Sequence, residues 1–116
     1  MKEGSDRVYL LHIRDEITFL EENTHDLSYE RLDSDKVIQH VVQKSLEIIG
    51  EASKKLSTET KDRCTQIPWH HVAGMRDRLT HGYFEVNWEL VWNVLRNDIV
   101  PLKVCINRIL AEKGWD

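Results

Sequence analysis

The stretch from Ile38 to Leu56 constrains this chain more than any other. Ile38, Val41, Val42, Ser45, Ile48, Ile49, Ala52 and Leu56 recur at steps of three and four, which sets one broad face of a helix apart from its polar remainder. A helix of this kind draws most of its stability from burying that face against other elements. Ser34 or Asp35 stands where a side-chain oxygen can accept from a free N–H of its first turn. Gly50 interrupts the pattern at a cost of about 1 kcal/mol relative to alanine. Its missing side chain would let a second helix approach closely.

The rest of the chain supplies partners for that face. Leu10, Ile13, Ile17 and Leu20 predict a first helix from about Asp6 to Thr24. His25 to Asp33 reads as a loop with room for a turn or two of helix, and Ser57 to Gln66 as a polar connection carrying a short one. Pro68 suits the first turn of a third helix, where its missing N–H is no loss. Val72, Ala73, Met75 and Leu79 carry that helix to about His81, and Gly82 to Asn87 form a loop. Asn87 caps a fourth helix with Val91, Val94, Leu95, Leu102, Ile106 and Ile109 inward. Pro101 cannot donate to the carbonyl of Asn97 and crowds it, so this helix is expected to kink or restart there. No segment alternates with period two. The 116 residues are therefore expected to form a single all-α domain over residues 1–116, an up-and-down bundle of four main helices.

Charge and cysteine content narrow the setting. No run of eighteen apolar residues offers a membrane span, and the polar start from Met1 to Asp6 lacks the apolar stretch of a signal peptide. Cys64 and Cys105 show no metal-ligand spacing and are expected as free thiols in a reducing, cytoplasmic setting. The net charge of −4 speaks against a nucleic-acid partner, but half of the twenty acids lie in the first 35 residues. From Lys61 to Tyr83 the balance is four basic against two acidic residues, with His70, His71 and His81 besides. Such a patch can bind phosphate with strong salt dependence. A solvated charged face fits the same charges.

Chemistry concentrates in Arg76-Asp77-Arg78-Leu79-Thr80-His81-Gly82-Tyr83. Gly82 stands where a helix ending in a left-handed residue would want glycine. Five residues on an ideal helix separate Arg76 from His81 by about 140° around the axis. The two could converge only if the helix unwinds near Gly82, or if they meet their counterparts across a two-fold axis. Arginine offers fixed donors to phosphoryl oxygens, and histidine moves a proton near neutrality. RNA brings its own nucleophile in the 2′-hydroxyl, so such a site needs no metal. An Arg and a His at a helix end can equally bond free carbonyls and favour the helix dipole. His70-His71 lacks the carboxylate or cysteine partners of a zinc site. His12, His25 and His40 read as surface or core histidines. Trp69, Trp88, Trp92 and Trp115 read as packing or interface residues, with Trp88 and Trp92 on one helix face.

The same run matches the Arg-x4–6-His-x-Tyr signature of HEPN domains, with a polar residue directly after the arginine. The flanks resemble the HepT-type subfamily through Ser45-Leu46-Glu47-Ile48-Ile49-Gly50-Glu51-Ala52, Ile67-Pro68-Trp69, Ala73-Gly74-Met75-Arg76-Asp77, His81-Gly82-Tyr83-Phe84 and Leu90-Val91-Trp92. The likeness spans essentially the whole chain. It implies a HEPN-like helical bundle that forms a homodimer or higher even oligomer, with its motifs facing across a cleft. It also implies a metal-independent endoribonuclease, without cofactor, acting as the toxin of a type VII-like toxin–antitoxin pair. The expected partner is a minimal nucleotidyltransferase antitoxin that transfers AMP to Tyr83. On this resemblance Arg76 and His81 are catalytic, Asp77 orients them and Tyr83 is both a supporting and the modified residue. Many relatives carry asparagine where this chain has Ser45. Two other readings stay open: an inactive nucleotide-binding or scaffolding partner of a nucleotidyltransferase, and a plain dimeric bundle without chemistry.

Overall fold

The computed structural model describes the backbone of residues 2–81 and 85–116, and the side chains of residues 6–79 and 85–116. The fold is all-α. Helix α1 spans Lys2–Thr24, α2 Tyr29–Ser34 and α3 Lys36–Lys54. A single turn, α4, covers Thr58–Lys61 and continues as a 3₁₀ turn over Asp62–Cys64. Helices α5 (Trp69–Ala73) and α6 (Met75–Leu79) follow, then a two-residue antiparallel pair, β1 (Thr80–His81) and β2 (Glu85–Val86). Helix α7 (Trp88–Asn93) runs through a π-helical segment, Val94–Asp98, into α8 (Ile99–Lys113).

Local chemistry sets these boundaries. Asp35, rather than Ser34, caps α3: its carboxylate accepts from the N–H groups of Val37 at 3.0 Å and Ile38 at 3.2 Å. The bond to Ile38 is the largest influence holding its pKa below the usual carboxylate value. Ser28 caps α2, and Asn87 caps α7 by accepting from Leu90 N–H at 3.0 Å.

Helix α1 lies antiparallel to both α3 and α8. Asp6 at its start bonds Ser57 beyond the end of α3, while Glu21 near its end meets Lys103 near the start of α8 at 3.0 Å. The four residues of the α1 stripe are at most 1 % exposed and join the buried residues of α3, α6, α7 and α8 in one core. Val41 and Ile48, expected inside, are only half-buried, and Leu46 takes a buried place instead. Among the described residues, no helix is long and apolar enough to cross a membrane.

Four expectations need correction. The third helix turns at Gly74 and ends at Leu79, so Thr80 and His81 are extended rather than helical. Part of the expected loop, Glu85–Val86, pairs with them. The fourth helix is disturbed a turn before Pro101: Ile99 N–H reaches back five residues to Val94, and Pro101 then falls in the first turn of α8, where it needs no partner for its nitrogen. Finally, Cys64 and Cys105 are not free thiols but a disulfide, with Cα atoms 6.2 Å apart. A sequence separation of 41 hid the approach of α8 to the 3₁₀ turn. The proposed glycine cap at Gly82 lies outside the described residues.

Candidate functional site

The motif begins on α6, and the packing of α6 decides where its arginines go. Residues two apart on a helix are about 200° apart around its axis, so Arg76 and Arg78 face different ways. Arg78 reaches the π segment and pairs with Asp98 at 3.6 Å. Arg76 is exposed and lines a cavity of about 410 Å³ with Tyr9 and His12 of α1, Lys44, Glu47, Ile48, Glu51 and Ala52 of α3, and Lys55 just beyond it. Among the described residues, neither Arg76 nor its exposed neighbour Asp77 makes a side-chain hydrogen bond or ion pair. The guanidinium is thus a charged fork open to a ligand.

Leu79 closes α6 and its carbonyl accepts from Asn87 N–H at 2.9 Å. Thr80 then pairs with Val86 and His81 with Glu85. The backbone of His81 is therefore tied to β2, beyond the helix end, and the 140° separation of an unbroken helix does not apply. The side chain of His81 and all of Tyr83 lie outside the described residues. Arg76 and the His81 backbone thus sit at either side of one helix terminus, which is as far as the motif is brought together.

The leg that carries Arg76 rests on α3 at Gly50. A Cβ on Gly50 would lie 3.0 Å from the Val72 carbonyl oxygen and 3.2 Å from the Met75 Cβ, so the expected close approach of helices occurs there. Ser45 is buried and lines a neighbouring cavity of about 430 Å³ with Phe19, Val41 and Ile48. His70 and His71 are exposed, with ring centroids 6.0 Å apart, and join no group of metal-ligating side chains among the described residues.

The tryptophans pack. Trp69 Nε1 donates to the carbonyls of Lys61 and Cys64, at 3.0 and 3.1 Å. Trp92 meets the edge of Tyr29 and lies under Arg96. The sequence reading missed the α1 side of the cavity, because nothing in the spacing of Tyr9 and His12 links them to a residue so far along the chain.

A helical bundle in which an exposed arginine precedes a histidine across a helix end has the architecture of a HEPN domain. The chain belongs to the HepT-like ribonuclease family, whose model matches residues 13–109. It is 39% identical over 107 residues to "Putative RNase TTE0752" of Caldanaerobacter subterraneus, covering 92% of this chain and 96% of that one. It is 40% identical over 99 residues to "Probable ribonuclease HepT" of Thermococcus cleftensis, covering 85% and 90%. "Putative RNase MJ0127" of Methanocaldococcus jannaschii is 34% identical over 110 residues, with 91% of each chain covered. No solved structure matches the chain.

Proposed function

We propose that this protein is a metal-independent endoribonuclease toxin, silenced when a partner nucleotidyltransferase adds AMP to Tyr83. One observation carries the reading: the exposed side chain of Arg76, which pairs with no other side chain among the described residues, lines a cavity one turn before the strand that bears His81. Arg76 binds the non-bridging oxygens of the scissile phosphate and stabilises their charge as the phosphorus becomes five-coordinate. The 2′-oxygen attacks phosphorus as its proton leaves to a base. The bond to the 5′-oxygen breaks as that oxygen takes a proton, leaving a 2′,3′-cyclic phosphate and a 5′-hydroxyl. His81 serves these proton transfers. In a homodimer the two copies of His81 divide them as base and acid across a shared cleft, with Asp77 orienting the pair. AMP on Tyr83 introduces a phosphodiester anion that competes for Arg76 and repels incoming RNA.

The test is cleavage of a single-stranded RNA in excess chelator, with end-group analysis of the products. Arg76→Ala and His81→Ala should each slow cleavage roughly 10²- to 10⁴-fold while keeping the helical circular dichroism. Intact mass after incubation with the nucleotidyltransferase and ATP should rise by AMP for the wild type and not for Tyr83→Phe. Full dependence on magnesium, cleavage retained in either alanine variant, or AMP gained by the Phe variant would each overturn the corresponding part.

A further inference from the structure

The cavity beside Arg76 has walls that the motif does not account for. Its volume, about 410 Å³, lies in the range of ligand pockets, roughly 300–1,000 Å³. Tyr9 and His12 are one turn apart on α1 and share its face toward α3. Tyr9 is half-buried and packs against the core. Across the seam, Lys44 and Glu47 are again one turn apart, on α3, and neither bonds another side chain among the described residues. The cavity counts three cations, Lys44, Lys55 and Arg76, against two carboxylates, and Glu51 already bonds Lys54 at 3.1 Å. On a chain with net charge −4 this is a local reversal of sign.

We infer that this cavity is a nucleotide subsite for single-stranded RNA, holding the residue next to the scissile linkage. This rests on the reading of Arg76 as the phosphate-binding group. An aromatic ring packed on the core beside cations that pair with no other side chain among the described residues is what an unstacked base with its phosphate requires. The base stacks on Tyr9. The flanking phosphate lies toward Lys44 and His12, continuous with the one at Arg76. Glu47 repels phosphate and so faces the sugar or base, where its carboxylate accepts from a ribose hydroxyl or an exocyclic amino group. The same groups fit a protein partner less well, because these cations and the Glu47 carboxylate would need matched charges on a seam that also offers a ring face.

The experiment uses the full chain with His81→Ala, which holds RNA uncleaved, and reads binding of a fluorescent oligoribonucleotide by anisotropy across a salt series. Lys44→Ala should weaken binding and reduce the slope of log K against log salt by about 1. Tyr9→Leu, which keeps apolar packing without a ring face, should weaken binding roughly 5- to 150-fold, while Tyr9→Phe binds like the parent. In the cleavage-competent background the same changes should raise KM more than they lower kcat. Unchanged binding in both Lys44→Ala and Tyr9→Leu overturns the subsite. So does a change of oligomeric state in Lys44→Ala, by light scattering, with an unchanged salt slope, because the cavity is then a contact between copies. A wild type that binds RNA through Lys44 and Tyr9 but does not cleave it supports the subsite and overturns only the catalytic roles of Arg76 and His81.

Discussion

At the scale of single residues, Asp6 ties the start of α1 to the turn that follows α3. It is 4% exposed, and its carboxylate accepts from Ser57 N–H at 3.0 Å, Ser57 Oγ at 2.5 Å and Thr60 Oγ1 at 2.5 Å. Ser57 Oγ in turn accepts from Thr60 N–H and so caps α4. Burial disfavours the charged form of Asp6, but the bonds from Ser57 and Thr60 and the charge of Lys113 outweigh it, and the pKa falls below the ordinary carboxylate value. A depressed folded pKa stabilises the fold at pH above the unfolded value, near 3.9, and that contribution disappears as pH drops through the folded value. Asp6→Ala should therefore cost about 1.5–3 kcal/mol near neutrality. In urea unfolding, the gap between wild type and variant should close as pH falls below about 4; a gap that persists in acid would assign the loss to packing instead. Sequence offered no sign of this, because the bonded partners lie 51 and 54 positions away.

At the scale of elements, legibility followed the range of the forces involved. The stripes of α1 and α3 were readable because helix period and burial are local and agree, and the cap at Asn87 because its partner is three residues on. The end of α6 was not, since Thr80 and His81 leave the helix to pair with residues four to six positions later. Pro101 correctly announced a disturbance, but the π segment absorbs it upstream, where Arg78 also finds Asp98. Arg76 and His81 stood out as a motif, whereas the cavity that Arg76 lines is walled by α1 and α3 and has no local signature. Gly50 joins both levels, as its bare Cα lets the Val72–Met75 leg, which leads directly into Arg76, sit closely on α3. Gly50→Val should push that leg away, at about 1–3 kcal/mol of stability, and lower RNA cleavage beyond what the loss of folded protein explains. Thermal unfolding measured beside specific activity of the folded fraction separates the two effects.

At the scale of the whole molecule, the disulfide between Cys64 and Cys105 ties the 3₁₀ turn after α4 to the middle of α8. Both cysteines are at most 1% exposed, and Arg108 of α8 donates to Cys64 Sγ at 3.1 Å and to the carbonyl of Arg63. The 3₁₀ turn that holds Cys64 also accepts the Trp69 indole, and Trp69 opens the leg that leads to Arg76. Fixing this turn to α8 therefore steadies the route into the candidate site. A cross-link between cysteines 41 residues apart removes enough freedom from the unfolded chain to contribute roughly 4 kcal/mol on the chain-entropy account. That is a large fraction of the 5–15 kcal/mol typical of a domain. Adding reductant should lower the thermal midpoint by roughly 10–20 °C, and a Cys64→Ala/Cys105→Ala variant should melt low and ignore reductant. Alkylation after unfolding without reductant should label neither cysteine. If both are labelled, or if reductant leaves the wild-type midpoint unmoved, the two sulfurs are packed thiols. The leg to Arg76 then keeps the Trp69 hydrogen bonds, the contact at Gly50 and the Arg78–Asp98 pair, without the cross-link.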